Sequence, residues 1–178
     1  DEVVSMSIIR HFEAEAPERA AYLKQRRLMA GAPEEEVDTD EEEVAEGQLS
    51  QERYAEMSAA EDLILTITSG GLGKLSSSHD YPLRGRGGQG VMAIDKAKRG
   101  GTLVASFPVD LDDQIMLATS TGQSIRVPID GISFRSRSAG GVKVFNTAKK
   151  EEVVSVAYIA DQGDEDAEVI DETGAPDA

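Results

Sequence analysis

The chain is 178 residues long and carries 18 Lys and Arg against 34 Asp and Glu, a formal charge of -16. It has no Cys and two His, which excludes disulfide frameworks, cysteine-ligated zinc, thiol catalysis and a His-rich metal site, and suits a reducing cytoplasm. No apolar run approaches the roughly 18 residues of a membrane helix, so no membrane partner is expected.

The charge is unevenly placed. Residues 61–159 hold 12 basic and 10 acidic side chains, whereas residues 10–60 and 160–178 each carry a net -8. The most structured-looking part is therefore slightly basic, and the mean charge does not argue against a polyanionic partner.

In chain order, residues 1–9 come first. Glu2-Val3-Val4-Ser5-Met6-Ser7-Ile8-Ile9 is nearly a copy of Glu152-Val153-Val154-Ser155-Val156-Ala157-Tyr158-Ile159. An opening at Asp1, next to an apolar run, reads as a piece cut from a longer protein, and residues 1–9 are expected to form the final strand of a preceding unit. Residues 10–60 are an insertion. Ala16 to Met29 holds strong helix formers with Pro17 in the first turn. Glu34 to Glu43 is too acidic to pack and is expected to be solvated. A second helix is expected after Ser50, a capping residue, running through Met57.

Two repeats follow, over 61–110 and 111–159. Leu63-Ile64-Leu65-Thr66-Ile67-Thr68 with its Gly turn is echoed by Gln114-Ile115-Met116-Leu117-Ala118-Thr119. Arg86-Gly87-Gly88-Gln89-Gly90-Val91 matches Arg137-Ser138-Ala139-Gly140-Gly141-Val142, and Leu103 to Phe107 matches Val153 to Ala157. A period of about 50 residues with several short strands per unit predicts a mainly β, propeller-like array. This chain would hold two whole blades plus the last strand of a preceding one. Residues 160–178 contain eight acidic side chains and no basic one, and are expected to be a disordered acidic tail. Tethered near a cationic surface, such a polyanion competes for it.

Three motifs invite a catalytic reading and fail it. Gly85 to Gly90 spells G-x-G-x-x-G, but a strand, not a helix, is expected over Val91 to Asp95, so no helix N-terminus meets a pyrophosphate. Gly70-Gly71-Leu72-Gly73-Lys74 lacks the first Gly and the Ser/Thr of a phosphate loop and reads as a hairpin turn. Ser76 to Ser78 precede His79-Asp80 on one short stretch, which reads as a solvated turn, not a catalytic triad. No catalytic or metal-binding residue is assigned.

The cations are more informative. Lys74 and Arg126 each follow a Gly turn, Arg86 and Arg137 are matched, and Arg84 and Arg135 each lie two residues earlier, with Lys143 two after Gly141. Side chains two apart on extended chain point the same way, and guanidinium forks suit phosphate oxygens. Recurrence at matched positions predicts an outward cationic rim that binds double-stranded DNA through its backbone. The small number of aromatics, four Tyr and four Phe, disfavours stacking on single strands.

Leu63 to Thr68 with Gly73-Lys74, Arg84-Gly85-Arg86-Gly87-Gly88-Gln89-Gly90, Asp113 to Leu117, Gln123 to Pro128 and Gly141 to Asn146, in that order, resemble the C-terminal domain of bacterial DNA gyrase A. The resemblance implies a six-bladed β-pinwheel that wraps DNA around a basic rim and supports ATP-dependent negative supercoiling by a type II topoisomerase. It implies that the catalytic tyrosine lies in another domain, and that ATP and Mg2+ serve the holoenzyme while this segment needs no cofactor. It also implies an A2B2 heterotetramer with gyrase B. The Arg84 to Gly90 stretch is a degenerate relative of the family's Q-R-R-G-G-x-G box. The rival readings are the matching C-terminal domain of topoisomerase IV, acting in decatenation, and a protein-interaction propeller that binds an acidic partner.

Overall fold

The structure is a computed structural model that describes residues 3–31, 49–95, 97–98 and 100–160. The acidic stretch 34–43 and the tail from 161 onward lie outside the described residues. Two antiparallel sheets form the body. The first contains β1 (Leu63–Thr68), β2 (Leu72–Ser77), β3 (Leu103–Val109) and β6 (Val142–Lys143) in the order β3-β1-β2-β6. The second contains β4 (Gln114–Thr119), β5 (Ser124–Pro128) and β7 (Val153–Ile159) in the order β5-β4-β7.

The two sheets are built alike. Ile67 faces Gly73 across the first hairpin and Ala118 faces Ser124 across the second, so each position recurs 51 residues later. The tight turns after the hairpins agree, Ser78–Asp80 in one and Ile129–Gly131 in the other. Register shifts also recur, between Ile67 and Thr68 against β3 and between Ala118 and Thr119 against β7. Gly71, at φ +76 in the first hairpin turn, has its counterpart in Gly122 at φ +85; an L side chain is strained there. One apolar cluster joins the sheets: Leu65, Ile67 and Leu75 from the first pack with Ile115, Leu117 and Val153 from the second. Each such side chain contributes about 1.5–3 kcal/mol by leaving water.

The sheets do not follow the sequence repeats strictly. β6 belongs to the second repeat yet pairs with β2 of the first, Val142 opposite Gly73 and Lys143 opposite Leu72. Residues 133–145 cross to the first sheet as a strap. Leu75 N donates to Ser133 O, Arg135 N donates to Leu75 O, and the Val144 and Phe145 amides both donate to Gly71 O. Gly141 is where the strap lies closest: a Cβ there would sit 2.9 Å from Gly73 N and 3.1 Å from Gly73 O. Main-chain atoms on both sides leave nothing to rotate away. Gly141→Ala is expected to destabilise the fold by about 1–3 kcal/mol, read as a lower denaturation midpoint together with faster amide exchange at Leu72 and Gly73.

Two further expectations are corrected. Residues 3–9 form no strand; they run along the first sheet, held by a Ser5 hydroxyl bond to Ser106 O at 3.0 Å. An extended segment becomes a strand only when another strand pairs with it, and among the described residues none does. Residues 91–95 are likewise irregular.

Among its described residues, the insertion forms two helices, α1 (Ala16–Met29) and α2 (Gln51–Ala59). At the start of α1 Glu15 N donates to Glu18 Oε2, and at the start of α2 Ser50 Oγ accepts from Arg53 N. Tyr22, Leu23 and Met57 form their small core. Arg53 ties the pair together, bonding Glu18 at 2.9 Å and lying 5.0 Å over the Phe12 ring. Arg26 then docks the helices on both repeats, bonding Glu61 at 3.0 Å and stacking 4.7 Å over Phe134. His79 completes the seat. Its Nε2 is 2.8 Å from Met57 O, and its ring meets Tyr22 edge-on at 5.1 Å.

Candidate nucleic-acid interface

The seven cations singled out by the sequence divide into three environments. Arg84 and Arg86 are exposed on the irregular segment that follows the first hairpin. Arg126 is exposed on β5 and Lys143 on β6. Arg135 is half-buried in the strap, with its backbone N bonded to Leu75 O. Lys74 and Arg137 are not on the surface at all, with relative exposures of 0% and 7%.

Lys74 leaves the first sheet from β2 and is enclosed by the strap. Its Nζ donates to Ser136 O at 2.8 Å, Arg137 O at 2.5 Å and Ala139 O at 2.6 Å. Three carbonyls match the three N–H bonds of an ammonium. Burial pushes the Lys74 pKa down from 10.5 to about 7, and the nearby Asp80 carboxylate opposes that shift. Arg137 is held just as closely. Its backbone N donates to Asp80 Oδ2 at 2.7 Å, its Nε to Asp80 O at 2.8 Å and its Nη1 to Met92 O at 2.6 Å. These two cations are committed to joining the repeats and cannot present their charge to a phosphate. The expectation that they line an outer rim is corrected.

The expected match of Lys74 with Arg126 is corrected as well. Lys74 pairs with Thr66, whereas Arg126 pairs with Met116, the counterpart of Leu65. Arg126 therefore occupies the place of Leu75, and Lys74 that of Ile125. A shift of one residue along a strand puts a side chain on the opposite face. Arg84 with Arg135 and Arg86 with Arg137 do obey the 51-residue spacing.

The Ser76 to Asp80 stretch is buried, contrary to the solvated turn expected from it. Ser78 Oγ accepts from Asp62 N, Ser77 Oγ from His79 N, and Ser76 Oγ lies 3.1 Å from Tyr81 Oη. These groups are engaged in holding the hairpin, the helices and the strap. Sequence reading missed Asp80 as the acceptor of the strap; its position beside a buried turn gave no sign of a partner 57 residues away.

What remains outside is mostly positive. Within the described part of 61–159, Arg84, Arg86, Lys98, Arg126, Lys143, Lys149 and Lys150 are exposed, against Asp110, Asp112, Asp130 and Glu152. Other carboxylates are turned to structural use. Glu151 accepts from the Thr119 and Thr121 hydroxyls and Ala148 N, which hold its pKa below the ordinary carboxylate value. Asp113 accepts from Asp110 N and Tyr158 Oη. Among the described residues, no three His, Asp or Glu side chains converge on a possible metal position, and no helix is long and apolar enough to cross a membrane.

Residues 62–110 and 113–160 each match the family model of the DNA gyrase C-terminal domain, a β-propeller. The chain is similar to DNA gyrase A of Granulibacter bethesdensis, 45% identical over 167 residues that make up 88% of this chain and 18% of that one. It is also similar to DNA gyrase A of Rickettsia bellii, 36% identical over 171 residues, 94% of this chain and 18% of that one. It thus spans under a fifth of the length of these relatives. A solved DNA gyrase A C-terminal domain shares the fold with a TM-score of 0.52 at 24% identity, over 56% of this chain and 34% of that one. A solved C-terminal domain of DNA topoisomerase IV does so with a TM-score of 0.51 at 22% identity, over 56% and 30%.

Proposed function

The chain belongs to the DNA gyrase C-terminal domain family, and from that membership we propose that it is a non-sequence-specific duplex DNA-binding and wrapping module of a type II topoisomerase. The observation that carries this reading is the surplus of exposed cations over exposed carboxylates across the two repeats. Arg84, Arg86, Arg126 and Lys143, the exposed members of the seven cations, are the proposed contacts, together with half-buried Arg135. They would bind phosphates, and phosphate contacts carry no direct sequence information.

In the parent enzyme, the wrap would present a crossing duplex for ATP-driven negative supercoiling, with gyrase A and gyrase B assembled as A2B2 in the cytoplasm. The ATP and Mg2+ of that reaction would serve the parent enzyme, and no part of the proposed role of this segment requires them. Topoisomerase IV shares the fold, but the relatives at 45% and 36% identity are DNA gyrase A, which favours the gyrase reading. A partner-binding propeller is the rival in kind, and random-sequence duplex DNA is its competitor.

The test is the salt dependence of duplex binding by the full-length protein. Arg84→Ala, Arg126→Ala and Lys143→Ala combined are expected to lower the magnitude of the log–log salt slope by about 2.7, at about 0.9 per phosphate contact. The loss should be the same on unrelated sequences. An unchanged slope would overturn the proposed contacts.

A further inference from the structure

The helix pair of the insertion is rooted at one place. Arg10, near the start of the insertion, is tied to Asp62 at its end, with Nη2 3.0 Å from Asp62 Oδ1. Helices rooted in this way could stand off into solvent. Instead they reach across β2. On one side Arg26 bonds Glu61, which leads into β1, at 3.0 Å, and the Glu61 side chain is only 6% exposed. On the other side the same guanidinium stacks 4.7 Å over Phe134, the strap residue that bridges Leu75. Since β2 lies between β1 and the strap, one side chain spans it.

This contact sits beside both fixings of the strap. His79, which meets Met57 O and the Tyr22 ring, directly precedes Asp80, the acceptor of Arg137 N. Phe134 directly precedes Arg135, whose N bonds Leu75 O. The joint between the repeats otherwise follows one line, because Ser133, Arg135, Val142, Lys143, Val144 and Phe145 all bond or pair along the edge from Gly71 to Leu75. A joint along one edge holds two sheets together and leaves their angle to contacts off that edge. The shared core is one such contact, and Phe134 packs against it while lying under Arg26. Drawing an Arg–Glu pair out of water costs about as much as the pairing returns, so this contact is better suited to fixing an orientation than to adding stability.

We propose that the α1–α2 pair is a clamp that sets the angle between the two repeats, with Arg26 as its positioning residue, and through that angle the curvature imposed on a duplex running from one repeat to the next. The proposal rests on the duplex-wrapping reading given above. The exposed cations supply affinity, and the clamp supplies the path. Duplex DNA has a persistence length of about 50 nm, so over a span as short as two repeats a freely turning joint would yield before the duplex bent.

The test is the linking number left in closed-circular DNA when the full-length protein, without ATP, is bound during relaxation by a type I topoisomerase. The wild type is expected to leave a shift that grows with bound protein. Arg26→Gln is expected to lose most of that shift at saturating protein while the salt slope of binding stays at the wild-type value, since no phosphate contact is removed. In amide exchange, Arg135 should lose protection while β4 and β7 keep theirs. A full shift in Arg26→Gln would overturn the clamp and leave the wrapping reading standing. A salt slope of smaller magnitude would overturn it too, by making Arg26 a phosphate contact. Faster exchange throughout β4 and β7 would do the same, by making Arg26 a residue of general stability. No shift in the wild type would overturn the wrapping reading, and the clamp with it. Should Arg26→Gln fail to fold, Phe134→Leu keeps the pair with Glu61 and removes only the stacked ring, and the same outcomes decide.

Discussion

Lys74→Met is expected to destabilise the protein by at least about 2 kcal/mol, the sum of two buried carbonyls, Arg137 O and Ala139 O, left without a donor at the lower end of about 1–3 kcal/mol each, while Ser136 O keeps the Ala139 amide. Methionine keeps most of the lysine stem, so the loss reports the ammonium and not a cavity. Denaturant unfolding of the full-length protein should show it, with amide exchange rising first in β6. The same substitution changes the pH profile. Lys74 has a folded pKa of about 7 and an unfolded value near 10.4, so the unfolded chain binds more protons between those values. Stability should therefore rise with pH across that window in the wild type, and this contribution should vanish in Lys74→Met. Above about pH 10 Tyr158 acts in the opposite sense. Hydrogen bonding to Asp113 pushes Tyr158 up to about 12, so its contribution is lost as pH climbs through that value. The clean comparison lies between about pH 7 and 9.5, below the ordinary tyrosine range.

Asp80→Ala should cost about 3–5 kcal/mol, the range for removing one partner from a buried charged pair. The Arg137 guanidinium would keep its carbonyl acceptors but lose the nearby carboxylate, and the Arg137 backbone N would lose its 2.7 Å acceptor. Asp80→Asn should cost less, because an amide oxygen still accepts from that N–H. Combining Lys74→Met with Asp80→Ala should destabilise by less than the two losses added, since both variants release the same strap. Strict additivity in a double-mutant cycle would show that the ammonium and the carboxylate hold it separately.

The two-fold β pattern could be read from the sequence because strand residues, Gly turns and acidic lead-ins recur at constant spacing. Helix α1 could be read from its helix formers and Pro17, beginning and ending where Ala16 to Met29 suggested, and α2 from its capping residue Ser50. The cations were harder. Recurrence correctly grouped Arg86 with Arg137 and Arg84 with Arg135, but it cannot tell a side chain turned to solvent from one turned into the neighbouring repeat. Lys74 was matched to Arg126 by its distance from a Gly turn, while hydrogen-bond register aligns it with Ile125. Sequence spacing alone does not fix which face a strand residue occupies when the turn can absorb a residue. His79 and Asp80 look like turn residues because their partners, Met57, Arg137 and the ring of Tyr22, come from other elements.

The crossing of β6 onto the first sheet also bears on how the polypeptide matures as it leaves the ribosome. The first hairpin and β3 are complete by Val109, yet their fourth strand is not translated until Lys143. At roughly 5–20 residues per second, that leaves the Lys74 amine and the free β2 edge waiting for seconds. A nascent chain stalled in that interval would present an open strand edge to any chaperone or passing chain, and each unit would mature only after its successor had begun to emerge.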